Sequence, residues 1–258
     1  MTRPEHDALF NAALSQVTDF HFGAKVAGVF DDMVARSVPF YLEIQRMIAE
    51  LAADHAQPDS HVYDLGCATG ATLLCMDQAV DPDIRFIGID DSAAMLAKCR
   101  EKLTSQGLTR PFSLQQADLN GDLRIERASV VVLCLTLQFI RPIYREKLLH
   151  KILTGLNTGG VLLLVEKVLA EDSALNRRFI DYYYRYKRRN HYSELEIAQK
   201  REALENVLIP YKLSENIALL RDVGFEQCEV FFKWYNFAGL IARKPPCHPP
   251  YTQAIKRA

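Results

Sequence analysis

A short apolar strand, Val62-Tyr63-Asp64-Leu65, runs straight into Gly66-Cys67-Ala68-Thr69-Gly70, and a second strand, Phe86-Ile87-Gly88-Ile89, ends on Asp90-Asp91. No other stretch restricts the fold as strongly. Strand, tight glycine turn, helix and acid-ended strand make one βαβ unit, in which the turn brings backbone close to a ligand and the acid meets a ribose. Asp90 follows Gly66 by 24 positions, near the spacing of a ribose-binding acid. Turns that hold a dinucleotide's pyrophosphate follow G-x-G-x-x-G. Here Ala68 takes the middle place and the spacing is G-x-x-x-G. Asp64 would oppose a diphosphate but suits a cationic amino or sulfonium group. The pattern points to S-adenosylmethionine ahead of a dinucleotide, with another nucleotide or a purely structural turn as alternatives.

Strand-like and helix-like segments alternate beyond this unit, which predicts an α/β fold. Strands are expected at 61–65, 85–90, 112–116, 129–135 and 160–168, and helices at 70–79, 92–105 and 144–155. Residues 156–160 read as a turn. A helix over 214–223 stops at Gly224, and strands at 227–234 and 236–243 form an antiparallel pair at the sheet edge. The expected sheet is seven-stranded and mostly parallel with an antiparallel edge strand, a Rossmann-like arrangement. Residues 20–54 form a helical lead-in whose Phe30, Met33, Val34, Val38 and Tyr41 cover the glycine turn, and 172–208 form a helical insertion. Residues 1–244 read as a single α/β domain, and the proline-rich 245–258 as a flexible tail.

With 49% apolar residues in 258, the chain can bury a sizeable core. A formal charge of −1 provides no overall basic field, which argues against a primary nucleic-acid binder. The six cysteines form no C-x-x-C pair and no metal-ligand spacing, as expected for thiols in a reducing cytoplasm. No metal is expected. The N-terminus lacks a signal-like apolar region, and the apolar run 130–137 is too short to span a bilayer. A cytoplasmic protein without a membrane partner is the expectation.

In an open α/β sheet the ligand lies across the carboxyl ends of the strands. The candidates there are Gly66, Cys67 and Ala68 in the turn, Asp90 and Asp91 after the second strand, Asp118 and Leu119 after the third, and Cys134 ending the fourth. Asp118 can accept from an adenine amino group while the next backbone N–H donates to the ring; otherwise residues 118–122 are an ordinary polar turn. Further on, Ser193 and Glu196 make a capping box, and Ile197, Arg201, Leu204 and Leu208 share a helical face. An arginine in register with an apolar stripe snorkels, pairs with a protein acid, or holds a ligand anion. Tyr182-Tyr183-Tyr184-Arg185-Tyr186-Lys187-Arg188-Arg189 could stack on a nucleic acid. Because little else in the chain is basic, tyrosines walling a pocket or a subunit contact are the preferred reading, with the bases solvated.

The chain resembles the carboxy-S-adenosyl-L-methionine synthase family from about Phe22 to Lys244. The carriers are Arg36-Ser37-Val38-Pro39-Phe40-Tyr41, Val62-Tyr63-Asp64-Leu65-Gly66-Cys67, Thr136-Leu137-Gln138-Phe139 and Tyr192-Ser193-Glu194-Leu195-Glu196-Ile197-Ala198-Gln199-Lys200-Arg201. The last is the most specific, since ordinary methyltransferases of this fold lack it. The resemblance implies a class I methyltransferase-like fold, a homodimer, and conversion of S-adenosylmethionine and prephenate to carboxy-S-adenosylmethionine and phenylpyruvate. It also implies that a tRNA carboxymethyltransferase uses the product on wobble uridine, with no direct nucleic-acid binding by this chain. Carried over by motif, the ligand contacts are Tyr41, Gly66, Cys67, Ala68, Asp90, Asp91, Asp118, Leu119 and Cys134. Arg201 is the catalytic group that holds the new carboxylate. Cys134 departs from the family, which has an asparagine there, and a thiol lacks the amide's paired donor and acceptor. A conventional methyltransferase and a non-catalytic S-adenosylmethionine-binding subunit are the competing readings.

Overall fold

The structure, a computed structural model, describes residues 6–14 and 16–246. Two helices, α1 (Ala24–Ser37) and α2 (Tyr41–His55), precede the sheet. Then come β1 (His61–Leu65), α3 (Ala71–Asp77), β2 (Arg85–Asp90), α4 (Ala93–Ser105), β3 (Phe112–Gln116) and β4 (Ala128–Cys134). A 3-10 turn (Leu137–Phe139), α5 (Pro142–Gly155) and β5 (Leu156–Leu169) follow. The insertion holds α6 (Ser173–Arg189) and α7 (Glu194–Leu204); β6 (Tyr211–Lys212), α8 (Leu213–Val223), β7 (Gln227–Trp234) and β8 (Phe237–Arg243) complete the chain.

The sheet runs β3-β2-β1-β4-β5-β8-β7, with the short β6 beside the end of β5. Pairs among β1 to β5 are parallel, while β8 is antiparallel to both β5 and β7. This is the mostly parallel α/β sheet expected, with one difference of position. The antiparallel strand lies one place in from the edge, because β7 pairs on its outer side. Layer structure follows from alternation along each strand. On β4, Val131 and Leu133 join a core with Leu148, Leu149 and Leu220 from α5 and α8. Val130 and Val132 join the opposite core with Ile44, Ile48, Leu73 and Cys99 from α2, α3 and α4. Both faces are covered, which is why the strand reads as an unbroken apolar run.

Residues 156–160, expected as a turn, belong to β5 as a bulge. Ala128 pairs with Leu156 but Val130 pairs with Val161, so the intervening residues bow out, with Gly159 at φ +73°. Helix starts follow local chemistry: Ser92 accepts from Met95 N–H at 3.2 Å to cap α4, and Ser193 and Glu196 form the expected capping box on α7. The two-residue β6 has no apolar pattern to announce it. A third core, holding Phe20, Val29, Met33, Met95 and Ala203, ties the lead-in to α4 and α7. Among the described residues, no helix is long and apolar enough to cross a membrane. The expected tail and Cys247 lie almost entirely outside the described residues, which end at Pro246.

Candidate active site

The site starts at the bend after β1. Gly66 sits at φ +77°, and its N–H donates to Ile89 O at 2.7 Å, so the chain turns back against β2. A Cβ here would lie 2.5 Å from the Thr136 side chain. Glycine is therefore required twice, by conformation and by space. Ala68 also takes a left-handed conformation, at φ +45°. Its N–H donates to Asp90 Oδ2 at 2.9 Å, while Ser92 N–H donates to Asp90 Oδ1 at 2.9 Å. Asp90 thus fixes the turn and the start of α4 together, and each oxygen keeps a further lone pair for a ligand hydroxyl.

The lead-in is fastened to this turn. Thr69 Oγ1 donates to Asp31 Oδ1 at 2.6 Å, and Lys102 Nζ pairs with Asp31 at 2.6 Å. Ser92 Oγ donates to Phe22 O at 2.5 Å, and the Phe22 ring meets Phe139 edge-on at 5.1 Å. From the other side, Arg36 Nε donates to Asn190 O at 3.0 Å, joining α1 to the insertion.

Between the strand ends, the lead-in and the insertion lies a cavity of about 420 Å³. Its wall includes Tyr41, Gly66, Cys67, Ala68, Asp90, Asp91, Asp118, Leu119, Cys134 and Arg201, so every candidate from the sequence is brought to one place. Phe30, Met33, Val34 and Val38 line it as expected of the lead-in. The volume suits a ligand of nucleoside size. Asn120 lines the same wall, and its Oδ1 is buried without a hydrogen-bond partner, an acceptor that a ligand N–H could fill.

The individual residues differ in how free they are. Asp118 Oδ1 already accepts from Asn120 N–H at 2.9 Å and Nδ2 at 2.7 Å, so the polar-turn reading of 118–122 holds alongside its place on the wall. Gln45 Nε2 lies 3.6 Å from Cys134 Sγ, and burial pushes that thiol up. The Cys99 contact and burial push the Cys67 thiol up as well, which leaves both sulfurs as neutral packing groups. Tyr41, the first residue of α2, has its phenol raised well above the usual range by burial.

Two expectations need correction. Asp64 is not part of the cavity wall; it is 1% exposed, and its Oδ2 has no hydrogen-bond partner. Burial, with Asp90 nearby, raises its carboxyl to about 8, so at neutral pH it is largely uncharged behind the wall residues Tyr41 and Cys134. The helix that carries Arg201 is shorter than expected, since α7 ends at Leu204 and Leu208 lies one turn beyond; Arg201, Leu204 and Leu208 still share the cavity wall, with Arg201 exposed. Among the described residues it makes no ion pair, so its guanidinium is available to an anion in the cavity.

Sequence reasoning treated the bases of α6 as solvated, and that missed the opposite wall. Lys167 from β5, Lys187 from α6 and Lys200 from α7 all line the cavity. Lys187 and Lys200 are each 5% exposed. Tyr183 and Tyr184 line it too, so the tyrosine-rich helix does wall a pocket. The available signal was spacing: Tyr183 and Lys187 are one helical turn apart and share the buried face.

Residues 62–160 match the methyltransferase domain family, a stretch that holds the glycine turn, Asp90, Asp118 and Cys134. Solved structures agree on the fold. An O-methyltransferase family protein from Burkholderia thailandensis superposes with a TM-score of 0.64 at 14% identity, over 91% of this chain and 66% of that one. The S-adenosylmethionine-dependent methyltransferase SibL gives 0.60 at 18% identity, over 84% and 58%. Among curated proteins, the carboxy-S-adenosyl-L-methionine synthase of Methylococcus capsulatus is 54% identical over 92% of this chain and 99% of its own length. That of Desulfotalea psychrophila is 47% identical over 88% and 93%. Identity at this level, sustained through the lead-in and the insertion as well as the methyltransferase core, shows that the chain belongs to the carboxy-S-adenosyl-L-methionine synthase family.

Proposed function

We propose that this chain converts S-adenosylmethionine and prephenate to carboxy-S-adenosylmethionine and phenylpyruvate. The observation that carries the reading is the unpaired guanidinium of Arg201 on the wall of the cavity that also holds the glycine turn and Asp90. A planar fork suits a bidentate carboxylate, and the carboxylated product has one where S-adenosylmethionine has none. Asp90 takes the ribose hydroxyls on its free lone pairs. Asp118, Leu119 and Asn120 border the adenine, and Gly66 to Ala68 bring backbone against the sugar and the amino-acid portion. Tyr41 and the Cys134 backbone close the floor.

The chemistry asks little of a protein base. The ring carboxylate of prephenate leaves as carbon dioxide, and its electron pair makes the ring aromatic and expels the ring hydroxyl. That hydroxide takes a proton from the sulfonium methyl and becomes water. The carbanion left on the methyl carbon attacks carbon dioxide, which gives the carboxylate. Catalysis then consists of holding the reactants together out of bulk water and matching the new anion with Arg201. The product goes on to a tRNA carboxymethyltransferase. The working unit in this reading is a cytoplasmic homodimer with residues 179–192 near the contact, which light scattering tests.

The deciding experiment is incubation of the purified protein with S-adenosylmethionine and prephenate, followed by mass spectrometry of the nucleoside and keto-acid products. A nucleoside heavier than S-adenosylmethionine by one carbon dioxide, with phenylpyruvate, is expected. Arg201→Ala should lose the carboxylated ligand and still bind S-adenosylmethionine. If prephenate stays untouched and only S-adenosylhomocysteine forms with added acceptors, the conventional methyltransferase reading replaces this one.

A further inference from the structure

We propose that Lys167, Lys187 and Lys200 form an anion subsite, separate from Arg201, that holds the carboxylate which the co-substrate keeps through the reaction. The inference rests on the function proposed above and goes further by assigning the second reactant's grip.

Three ammonium groups from three elements meet on one side of the cavity. Lys200 Nζ has an anion, Asp7, at 3.5 Å, and lies 3.4 Å from Ser37 Oγ. Asp7 is itself 2% exposed and accepts from Tyr192 OH at 2.6 Å. Lys167 and Lys187 have no carboxylate within ion-pair distance among the described residues. Their ammonium groups face the Tyr183 ring instead, at 5.1 and 4.9 Å from its centroid. An aromatic face attracts a cation without neutralising it. The wall's carboxylates, Asp90, Asp91, Asp118 and Glu205, form no ion pair with any of the three lysines.

A buried cation without a matching anion is costly, and Lys187, 5% exposed, is one, with the half-buried Lys167 over the same ring and Lys200 close by. The cost shows in their protonation. Burial pulls Lys167 down to about 8, and Lys187 is held well below the usual lysine range by burial and by the charges of Lys200 and Lys167. Lys200 is pulled down to about 8 by burial, with Asp7 acting against the shift. An entering carboxylate relieves this strain directly. Tyr183 and Phe237, edge to face at 5.4 Å and both on the wall, add an apolar surface for a six-membered ring.

The choice between the co-substrate's two carboxylates follows from transition-state logic. A carboxylate that departs as carbon dioxide must shed its charge, and ion pairing would stabilise it before reaction and hold it back. A cluster of lysines therefore suits the carboxylate that survives in the keto-acid product.

Lys187→Met and Lys167→Met keep most of the unbranched side chain and remove its charge. Each is compared with the wild type by calorimetry on protein loaded with S-adenosylhomocysteine, which cannot react, using prephenate and phenylpyruvate as separate probes. Affinity for both probes should fall by roughly tenfold or more, the worth of one charge-assisted hydrogen bond. Binding of S-adenosylhomocysteine should stay within about twofold, since its contacts lie on the other wall, and KM for prephenate should rise in parallel. A loss confined to prephenate would place the departing carboxylate on the lysines and overturn the assignment. Equal binding of both probes by wild type and variants would overturn it too. If the wild type forms no carboxylated nucleoside, the reaction reading fails, and the calorimetry still decides whether the lysines hold an organic anion. Because two variants on different elements are used, misfolding of one, seen in its melting curve, leaves the other as the test.

Discussion

The cavity has two unlike halves. One is made by strand ends: Gly66, Ala68, Asp90 and Asp118 on a sheet whose backbone hydrogen bonds fix them, with carboxylates as the charged groups. The other comes largely from the insertion and the adjoining end of β5, where Lys167, Lys187, Lys200 and Arg201 outnumber one acid, Glu205. The acidic half is what a methyltransferase-like sheet offers any adenosyl ligand. The cationic half is built on helices that the methyltransferase-domain match, ending at residue 160, does not include. In the proposed reading the co-substrate is held by a part of the chain outside that match, and substitutions in the two halves should fail in different ways.

The largest effect is expected at the bend. Gly66→Val would force a branched side chain into a left-handed backbone and against Thr136. A stability loss of about 3 kcal/mol or more is expected, along with loss of S-adenosylmethionine binding. Thermal melting and calorimetry check it, and an unshifted melting curve would show that the turn tolerates another shape. Next comes Asp90→Ala, which removes the proposed ribose acceptor and the anchor of the Ala68 and Ser92 N–H groups. Affinity for S-adenosylmethionine should drop by about tenfold or more, from the loss of charged hydrogen bonds. An unchanged affinity in a folded variant would take Asp90 out of the acidic half.

Buried acids and buried lysines near the cavity should also leave opposite marks on the pH dependence of stability. Burial raises Asp64 and Glu166 to about 8. Unfolded carboxylates titrate near ~4, so the folded state holds extra protons between those values, and stability falls as pH rises from about 4 to 8. Lys167 and Lys200 are pulled down to about 8. Unfolded lysines keep their protons to about 10.4, so above pH 8 the unfolded state holds more, and stability climbs. The melting temperature of ligand-free protein should therefore pass through a minimum near pH 8. Asp64→Asn should flatten the acid limb and Lys167→Met the alkaline limb. A profile that rises steadily from pH 5 to 8 would break the comparison. The smallest effect is expected from Asp118→Ala, no more than about threefold in S-adenosylmethionine affinity. One of its oxygens is already spent on Asn120.

The acidic half was readable before any coordinates. Its central strands carry short apolar runs, its glycine turn has one workable shape, and β1, β2 and β3 begin and end where periodicity places them. Ligand-facing acids at strand ends follow from topology alone. The cationic half was not readable, because a lysine's environment is set by which helix lands on it. Lys187 looked solvated among Arg185, Arg188 and Arg189, yet it turns inward beside Tyr183. Arg201, by contrast, was legible from spacing, since it lines the cavity together with Leu204 and Leu208. Asp64 misled in the opposite direction: its position at a strand end is right, but one step along the pleat turns its side chain under the sheet's end instead of into the cavity.

The order in which the sheet is assembled has a consequence for how the protein is made. β5 is paired on its outer side by β8, the last strand among the described residues, in a ladder that runs from Val161 opposite Arg243 to Lys167 opposite Phe237. A chain emerging from the ribosome has all of β5 long before β8 is available. Through that interval β5 presents an open, strongly apolar edge, the kind that recruits foreign strands. The gap also makes this closure a long-range contact, slow relative to local helix formation. Phe237 and Lys167, paired by that last zippering, both face the cavity. Nascent protein should therefore acquire its glycine turn first and its second wall only once β8 has emerged, with chaperone dependence concentrated between those two moments.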